Sequence, residues 1–135
     1  MAPNERSTLV AGWIEHHTER IELDSDNVFH RVRGKNNFWA WEQLNDLCRN
    51  QPQLAWEIVL DIFRAPHHES VDWSLAAGPL EDLLAWHGVD IIEKIEAEAR
   101  ADRKFKELLH GVWRSTTPHA IWSRFEAARN INNDA

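Results

Sequence analysis

The sequence predicts an all-α fold of about seven short antiparallel helices, packed as a compact, solenoid-like or irregular bundle. Apolar residues recur at intervals of three and four along most of the chain, which is the period of amphipathic helices. Proline and glycine stand at the ends of these segments, where they favour helix starts and stops. Hydrophobic residues make up 43% and charged residues 27% of 135 residues. These values indicate one globular domain, residues 1–135.

The first helix is predicted from Ser7 or Thr8, either of which can cap it, to about Glu19. Residues 21–37 lose the helical period and are rich in turn-forming residues. We interpret them as a loop and a variable insertion, although residues 28–33 have the composition of one short strand. A single strand without a partner is weak support for a sheet. The loop is the natural place for a binding element.

A second helix is predicted over residues 37–50, with a buried face of Phe38, Trp41, Leu44, Leu47 and Cys48. A third, over residues 53–64, is apolar almost all round, with Glu57, Asp61 and Arg64 as its polar exceptions. A helix with one narrow polar stripe is packed on most sides. We therefore expect it to be central, its stripe being either a solvated edge or an acidic contact site.

Residues 78–88, Gly-Pro-Leu-Glu-Asp-Leu-Leu-Ala-Trp-His-Gly, carry the strongest helix signals. Gly78 suits the N-cap, Pro79 the first helical position, and Gly88 the position after the helix. Glu81 then lies where its carboxylate can reach back to the Gly78 N–H. Asp82 and His87 are left as possible functional residues. We interpret His87 as a structural histidine bonded to a carbonyl or carboxylate, the alternative being an acid–base group.

Further helices are predicted after Asp90, Asp102 and Thr117, each a good capping residue. The second of them buries Phe105, Leu108, Leu109, Val112 and Trp113. Residues 130–135 are expected to form a frayed tail.

Charge and cysteine content limit the function classes. The formal net charge is −7, and residues 38–78 carry −4 of it, from six acidic and two basic residues. This pattern does not favour direct nucleic-acid binding and suits a partner with a basic surface, or simply solubility. Cys48 is the only cysteine, so no intramolecular disulfide is expected. No membrane span or signal peptide is apparent, and we expect a cytoplasmic protein without a cofactor.

The chain contains eight Trp, five Phe and no Tyr. We expect the Trp residues to pack the core, and the alternative is that one or two are exposed anchors at a binding surface.

One cluster resembles a metal site. His67, His68 and Glu69 are adjacent, and Glu15, His16 and His17 could add ligands. No standard ligand spacing is present, so solvated loop histidines are the favoured interpretation. Cys48 lies on an apolar helix face without a neighbouring histidine, which indicates an inert thiol rather than a nucleophile.

The segment 78–84 followed by His87-Gly88 is the most specific part of a wider pattern. The pattern also includes residues 11–14, 38–42, 52–58 and 112–114, with Phe105 and Trp122. On these residues the chain resembles an uncharacterised bacterial family of small proteins, a domain of unknown function. The resemblance covers nearly the whole chain except residues 28–36. It implies the same helical fold and transfers no activity and no catalytic residue.

We therefore expect a non-catalytic, acidic protein-binding module, for example an inhibitor, an immunity-type or an anti-defence protein. The expected surface combines Glu57 and Asp61 with the 28–36 loop, including Phe29, Arg31 and Arg33, and Trp39 as an anchor. One alternative is a metal-dependent hydrolase built on His67, His68 and Glu69. The other is a structural homo-oligomer, of which a homodimer is the simplest form.

Overall fold

The protein folds into helices with one small β-hairpin. The structure is a computed structural model that describes residues 1–23, 25–33 and 36–132, with the backbone alone for residues 20–23 and 31–33. In chain order the elements are α1 (Pro3–His17), β1 (Glu19–Leu23), β2 (Phe29–Arg33), α2 (Phe38–Asn50), α3 (Pro52–Arg64), α4 (Glu69–Leu75), a π-helical turn (Ala76–Leu80), α5 (Glu81–Ala101), α6 (Arg103–Leu108), a 3₁₀ turn (Leu109–Gly111) and α7 (His119–Arg129). The predicted all-α fold is confirmed, and the predicted number of helices is close.

Helix α1 begins four residues earlier than the first predicted capping residue. Pro3 occupies the first turn, where its missing N–H costs nothing, and the Ala2 N–H donates to a Glu5 carboxylate oxygen at 3.4 Å. Ser7 and Thr8 lie inside the helix, and each hydroxyl donates to the carbonyl four residues earlier. Such bonding lets a hydroxyl residue occupy a helix interior.

The segment that was expected to be a loop forms an antiparallel hairpin. Glu19 pairs with Arg33 at its base, and Leu23 pairs with Phe29 at its far end. The sequence analysis identified the second strand but found no partner for it. The partner, β1, follows directly on α1 and carries no strong strand signal. The most extensive contacts of either strand are with each other.

Helices α2 and α3 lie where the sequence predicts them, within one residue at each end. Pro52 begins α3, and Ile58, Val59 and Ile62 are fully buried on it. This helix contacts α1, α2, α4 and α5, which confirms its central position.

The predicted helix start at Gly78 is wrong. Helix α4 runs through the π-helical turn directly into α5, so Gly78 and Pro79 lie inside a continuous helical segment. Proline removes one backbone hydrogen bond and crowds the preceding turn of an α-helix. The wider π turn accommodates that disturbance, and Pro79 and Leu80 are buried within it.

The predicted helix end at Gly88 corresponds to a kink. His87 has non-helical angles (φ −138°, ψ 31°), and α5 then continues to Ala101. Gly88 is buried because α7 crosses α5 here. A Cβ on Gly88 would lie 2.8 Å from Cγ2 of Ile121. The glycine thus permits the close packing of the two helices.

The last helices complete one hydrophobic core. Asp102 caps α6 as predicted, with Oδ1 accepting the Lys104 N–H at 2.9 Å. Phe105 and Phe125 are fully buried. Trp113, predicted to be buried, is instead 76% exposed, because the chain leaves the helix at Val112. Among the described residues, no helix has both the length and the apolar character needed to span a membrane.

Two glycine substitutions test this packing. Gly88→Ala should lower the free energy of unfolding by about 1–2 kcal/mol, because overpacking against the stiff Ile121 side chain outweighs the gain in helix propensity. Gly78→Ala is the matched control, since no atom lies within 4 Å of its added Cβ. It should leave stability unchanged or raise it by up to about 1 kcal/mol. Urea denaturation measures both, and equal effects would contradict the close contact at Gly88.

Candidate functional site: the α2 aromatic face

The histidine-rich segment serves to connect and cap helices. His67 Nδ1 lies 2.6 Å from the Ala65 carbonyl oxygen, and Nε2 lies 2.7 Å from Oδ1 of Asp72. His68 is the N-cap of α4, because its Nδ1 accepts the Ser70 N–H at 3.0 Å. Both nitrogens of His67 therefore have partners within the protein. Neither is left to act as a base or to bind a metal ion.

The three residues of the metal alternative do not converge. Within residues 1–23, 25–33 and 36–132, no group of three or more His, Cys, Asp or Glu side chains is arranged to hold a metal ion. His16 is equally engaged, since its Nδ1 accepts the Asn37 N–H at 3.0 Å. The histidine pairs thus fix the junctions between α1, α2 and α4.

The acidic stripe of α3 is bound from within the protein. Arg6 of α1 donates through Nε to Oδ2 of Asp61 at 2.5 Å and through Nη1 to Oε2 of Glu57 at 3.3 Å. The hydrogen bond to Asp61 is the main reason why the pKa of Arg6 is raised above its usual value. The stripe is consequently neither a purely solvated edge nor an open acidic surface.

The remaining residues of the predicted binding surface lie on α2 and on the hairpin. Trp39 is 45% exposed, but its ring lies against α1, and a Cβ on Gly12 would be 2.6 Å from its Cζ2. Phe29 is 73% exposed at the far end of the hairpin. Arg31 and Arg33 are on β2, and their side chains lie outside the described residues. The described side chains of the predicted set thus lie on three elements, α2, α3 and the hairpin, and their joint use as one surface stays a prediction.

The signature segment binds two other parts of the chain. Glu81 does not cap its own helix, because its Oε1 accepts the Trp113 N–H at 2.8 Å. His87 has the structural role predicted for it, and its Nε2–H donates to the Arg49 carbonyl at 2.8 Å. That carbonyl belongs to the last turn of α2, where backbone acceptors have no partner within the helix. The two side chains thus hold α5 to α2 and to the segment after α6.

Cys48 of α2 and Asp82 of α5 lie where these two helices meet, and the pKa values of both side chains are raised there. Burial raises the pKa of Cys48 to about 12, and the negative charge of Asp82 contributes. The thiol points at the Pro79 carbonyl, 3.9 Å away, as a weak donor. The pKa of Asp82 is also raised, first by partial burial and then by Glu81, while Arg49 opposes the shift. A largely protonated, buried thiol is inert, as the sequence analysis predicts.

The distribution of tryptophan contradicts the expected core packing. Trp13 and Trp56 are buried and Trp122 is partly buried. The other five, Trp39, Trp41, Trp73, Trp86 and Trp113, are 40–76% exposed. A fully buried Trp side chain removes roughly 150–250 Å² from water, and a partly exposed one forgoes a share of this, so five such residues on one small domain need an explanation.

Three exposed aromatic rings and one arginine form two contacting pairs on α2 and the adjoining part of α5. Phe38 stacks on Trp41 with ring centroids 5.2 Å apart, and the Arg49 guanidinium lies 4.9 Å from the centre of the Trp86 ring. Trp41 and Arg49 are two helical turns apart, with Asn45 between them, so both pairs lie on the same side of α2. We call Phe38, Trp41, Arg49 and Trp86 the α2 aromatic face.

The sequence analysis placed Phe38 and Trp41 on the buried side of α2. Phe38 is 52% and Trp41 40% exposed, because the core takes Ala40, Leu44, Leu47 and Cys48 instead. The sequence did contain a signal that Phe38 is exposed. Phe38 is spaced by four and eleven residues from Glu42 and Arg49, which puts all three on one helical face.

Comparison with known proteins gives one match. A family model described as a family of unknown function, DUF6869, matches residues 26–132. The match begins after β1, so α1 lies outside it. No curated protein and no solved structure matches the chain.

The reactivity of the Cys48 thiol tests directly whether this side chain is buried where α2 meets α5. With its pKa raised from 9.0 to about 12, the native thiolate population at pH 8 should be roughly a thousandfold below that of the unfolded chain. Alkylation by iodoacetamide should therefore be at least a hundredfold slower in native buffer than in 6 M guanidinium chloride, as measured by mass spectrometry. Similar rates in both would show that the thiol is accessible and would contradict its placement.

Asp82→Asn tests the electrostatics of the same junction. Because the pKa of Asp82 is raised in the folded protein, ionisation of this group destabilises the fold as the pH rises from about its ordinary value of 3.8 through its folded value. The variant should thus be more stable than the wild type at pH 7, and this difference should vanish near pH 3.5. Asp46→Asn on the exposed side of α2 controls for net charge. Equal effects of both substitutions in urea denaturation would contradict the assignment.

Proposed function

The chain belongs to the family of unknown function DUF6869, and we propose that it is a non-catalytic protein-binding module whose α2 aromatic face docks on a partner with a basic surface. The observation that carries this proposal is the exposure of five Trp side chains, two of them on that face. Aromatic and arginine side chains are enriched at protein interfaces and dominate their binding energy.

Charge favours a basic partner. Glu42 and Asp46 are exposed on α2 beside the α2 aromatic face, and Arg49 is held over Trp86. Carboxylates around an apolar contact accelerate association with a partner of opposite charge and reject partners of like charge.

Inhibition by occlusion is the form of binding we favour, as in an immunity-type or anti-defence protein. A small helical domain that blocks a partner needs a rigid surface and no reactive group of its own. The engaged nitrogens of His67 and the buried Cys48 fit that requirement. As part of the same proposal, the protein is bacterial and cytoplasmic, and residues 78–88 are the signature of its family.

Phe38→Asp tests the proposal with little risk to the fold, because an acidic residue in the first turn of a helix is favourable. Trp113→Asp is the matched control, since it places the same charge on an exposed aromatic position elsewhere. A partner recovered from the native host with the wild-type protein should bind Phe38→Asp at least thirtyfold more weakly, a loss of about 2 kcal/mol. Its affinity for the control should stay within threefold.

Calorimetry with the purified partner measures these affinities, and light scattering reports self-association. Complete retention of binding by Phe38→Asp would contradict the α2 aromatic face as the contact. The absence of any stoichiometric partner, with a dimer that Phe38→Asp dissociates, would instead favour the homodimer.

A further inference from the structure

A second surface, away from the α2 aromatic face, carries its own features. Helices α4 and α6 border an open groove of about 1090 Å³. Phe63, Ala76 and Leu108 supply apolar lining, with Glu69 and Trp73 on the α4 side and Glu107 on the α6 side. We call this the α4–α6 groove. Its volume slightly exceeds the range of about 300–1,000 Å³ for small-molecule sites and is large enough for several side chains of a peptide.

Trp73 is the most distinctive side chain in the α4–α6 groove. It is 69% exposed, although it stands on a short helix whose Val71 and Leu75 are fully buried. A Cβ on Gly111 would lie 3.9 Å from Cε3 of Trp73 and 3.0 Å from Cβ of Ala76. The 3₁₀ turn therefore supports one edge of the indole and leaves much of the ring accessible to an occupant.

Apart from His67 and His110, the ionisable groups that line the α4–α6 groove fall into two sets. Asp72 binds His67, Asp102 caps α6, and Arg64 pairs with Glu98 outside the groove. These groups are committed to the fold.

The second set is free to bind. Within the part of the chain that the structure describes, Glu69 and Glu107 make no hydrogen bond or ion pair through their carboxylates, and Lys104 makes none through its ammonium group. The groove is thus lined by two free carboxylates and one free lysine, together with His110, beside an exposed Trp. A positively charged occupant is therefore favoured over an anionic one.

From this arrangement we propose that the α4–α6 groove binds an arginine-containing segment of a partner protein. A guanidinium group stacks on an indole face and donates paired hydrogen bonds to carboxylates, while its alkyl stem packs on apolar surface. Trp73, the two free glutamates and the apolar lining offer these contacts in one place. The groove shares no residue with the α2 aromatic face, so either proposal can fail while the other stands.

The test begins with a selection of random decapeptides displayed on phage. The library is depleted on immobilised Trp73→Ser protein and then selected on the wild-type protein. Enriched peptides should contain arginine well above its frequency in the library. Each should shift the Trp73 indole N–H signal in the NMR spectrum of the full-length ¹⁵N-labelled protein, and this signal is assigned from the Trp73→Ser variant.

Charge variants then test the contacts. The double substitution Glu69→Gln and Glu107→Gln should lower the affinity of the protein for the selected peptides at least tenfold. Replacing the arginine of these peptides by glutamine should lower the affinity to the same extent. Glu15→Gln with Glu93→Gln makes the same change of net charge elsewhere on exposed surface, and the affinity for the peptides should stay within twofold of the wild type. Trp113→Ser serves as the equally mild control for Trp73→Ser.

Three results would overturn the proposal. The first is a selection that yields no peptide whose binding depends on Trp73, and the second is enrichment of peptides that lack arginine. The third is an equal loss of peptide affinity from the two pairs of glutamine substitutions. None of them bears on the partner contact of Phe38, which the Phe38→Asp measurement decides separately.

Discussion

Pro79 has no amide hydrogen, so the preceding helical turn lacks one backbone hydrogen bond. The way in which the chain accommodates this missing bond sets the arrangement of the second half of the protein. The segment widens into the π-helical turn Ala76–Leu80 and continues as α5. The weak contact from the Cys48 thiol reaches the Pro79 carbonyl on the α2 side. Because α5 packs against α2, α3, α6 and α7, its position relative to α4 determines where the other helices lie.

The acidic character of the chain is partly used for internal contacts. Glu81 and Asp102 accept backbone N–H groups, and Asp61 and Glu96 bind arginines of other helices. The carboxylates of Asp61 and Glu96 contribute little free potential for a partner, because an arginine of opposite charge compensates each of them nearby. The acidic groups that remain available, including Glu42, Asp46, Glu69 and Glu107, are exposed. They lie beside exposed aromatic rings in both proposed contact surfaces.

Local sequence signals predicted those features that depend on nearby residues alone, namely helix bounds and caps. The bounds of α2 and α3, the Asp102 cap and the central position of α3 follow from periodicity and capping alone. Residues 78–88 show the limit of this reasoning, because a Gly-Pro pair suits a helix start and a π turn equally well. A hydrogen bond from His87 to a carbonyl or carboxylate was predicted. Its acceptor, the Arg49 carbonyl, was not identified because it lies 38 residues away. Trp exposure was missed because it depends on which neighbouring helix covers each ring, and composition does not contain that information.

The hairpin leaves the helical body and returns to it at one place, because Glu19 and Arg33 are directly paired. Its length is therefore uncoupled from the packing of the core, and evolution can extend or shorten it by adding or removing paired residues. Each added pair turns the residues at its far end to the opposite face, since side chains alternate along a strand. Whether an aromatic residue such as Phe29 points to one side or the other thus depends on the parity of strand length. Relatives with hairpins of different length would display their tips in alternating directions while keeping the same helical body.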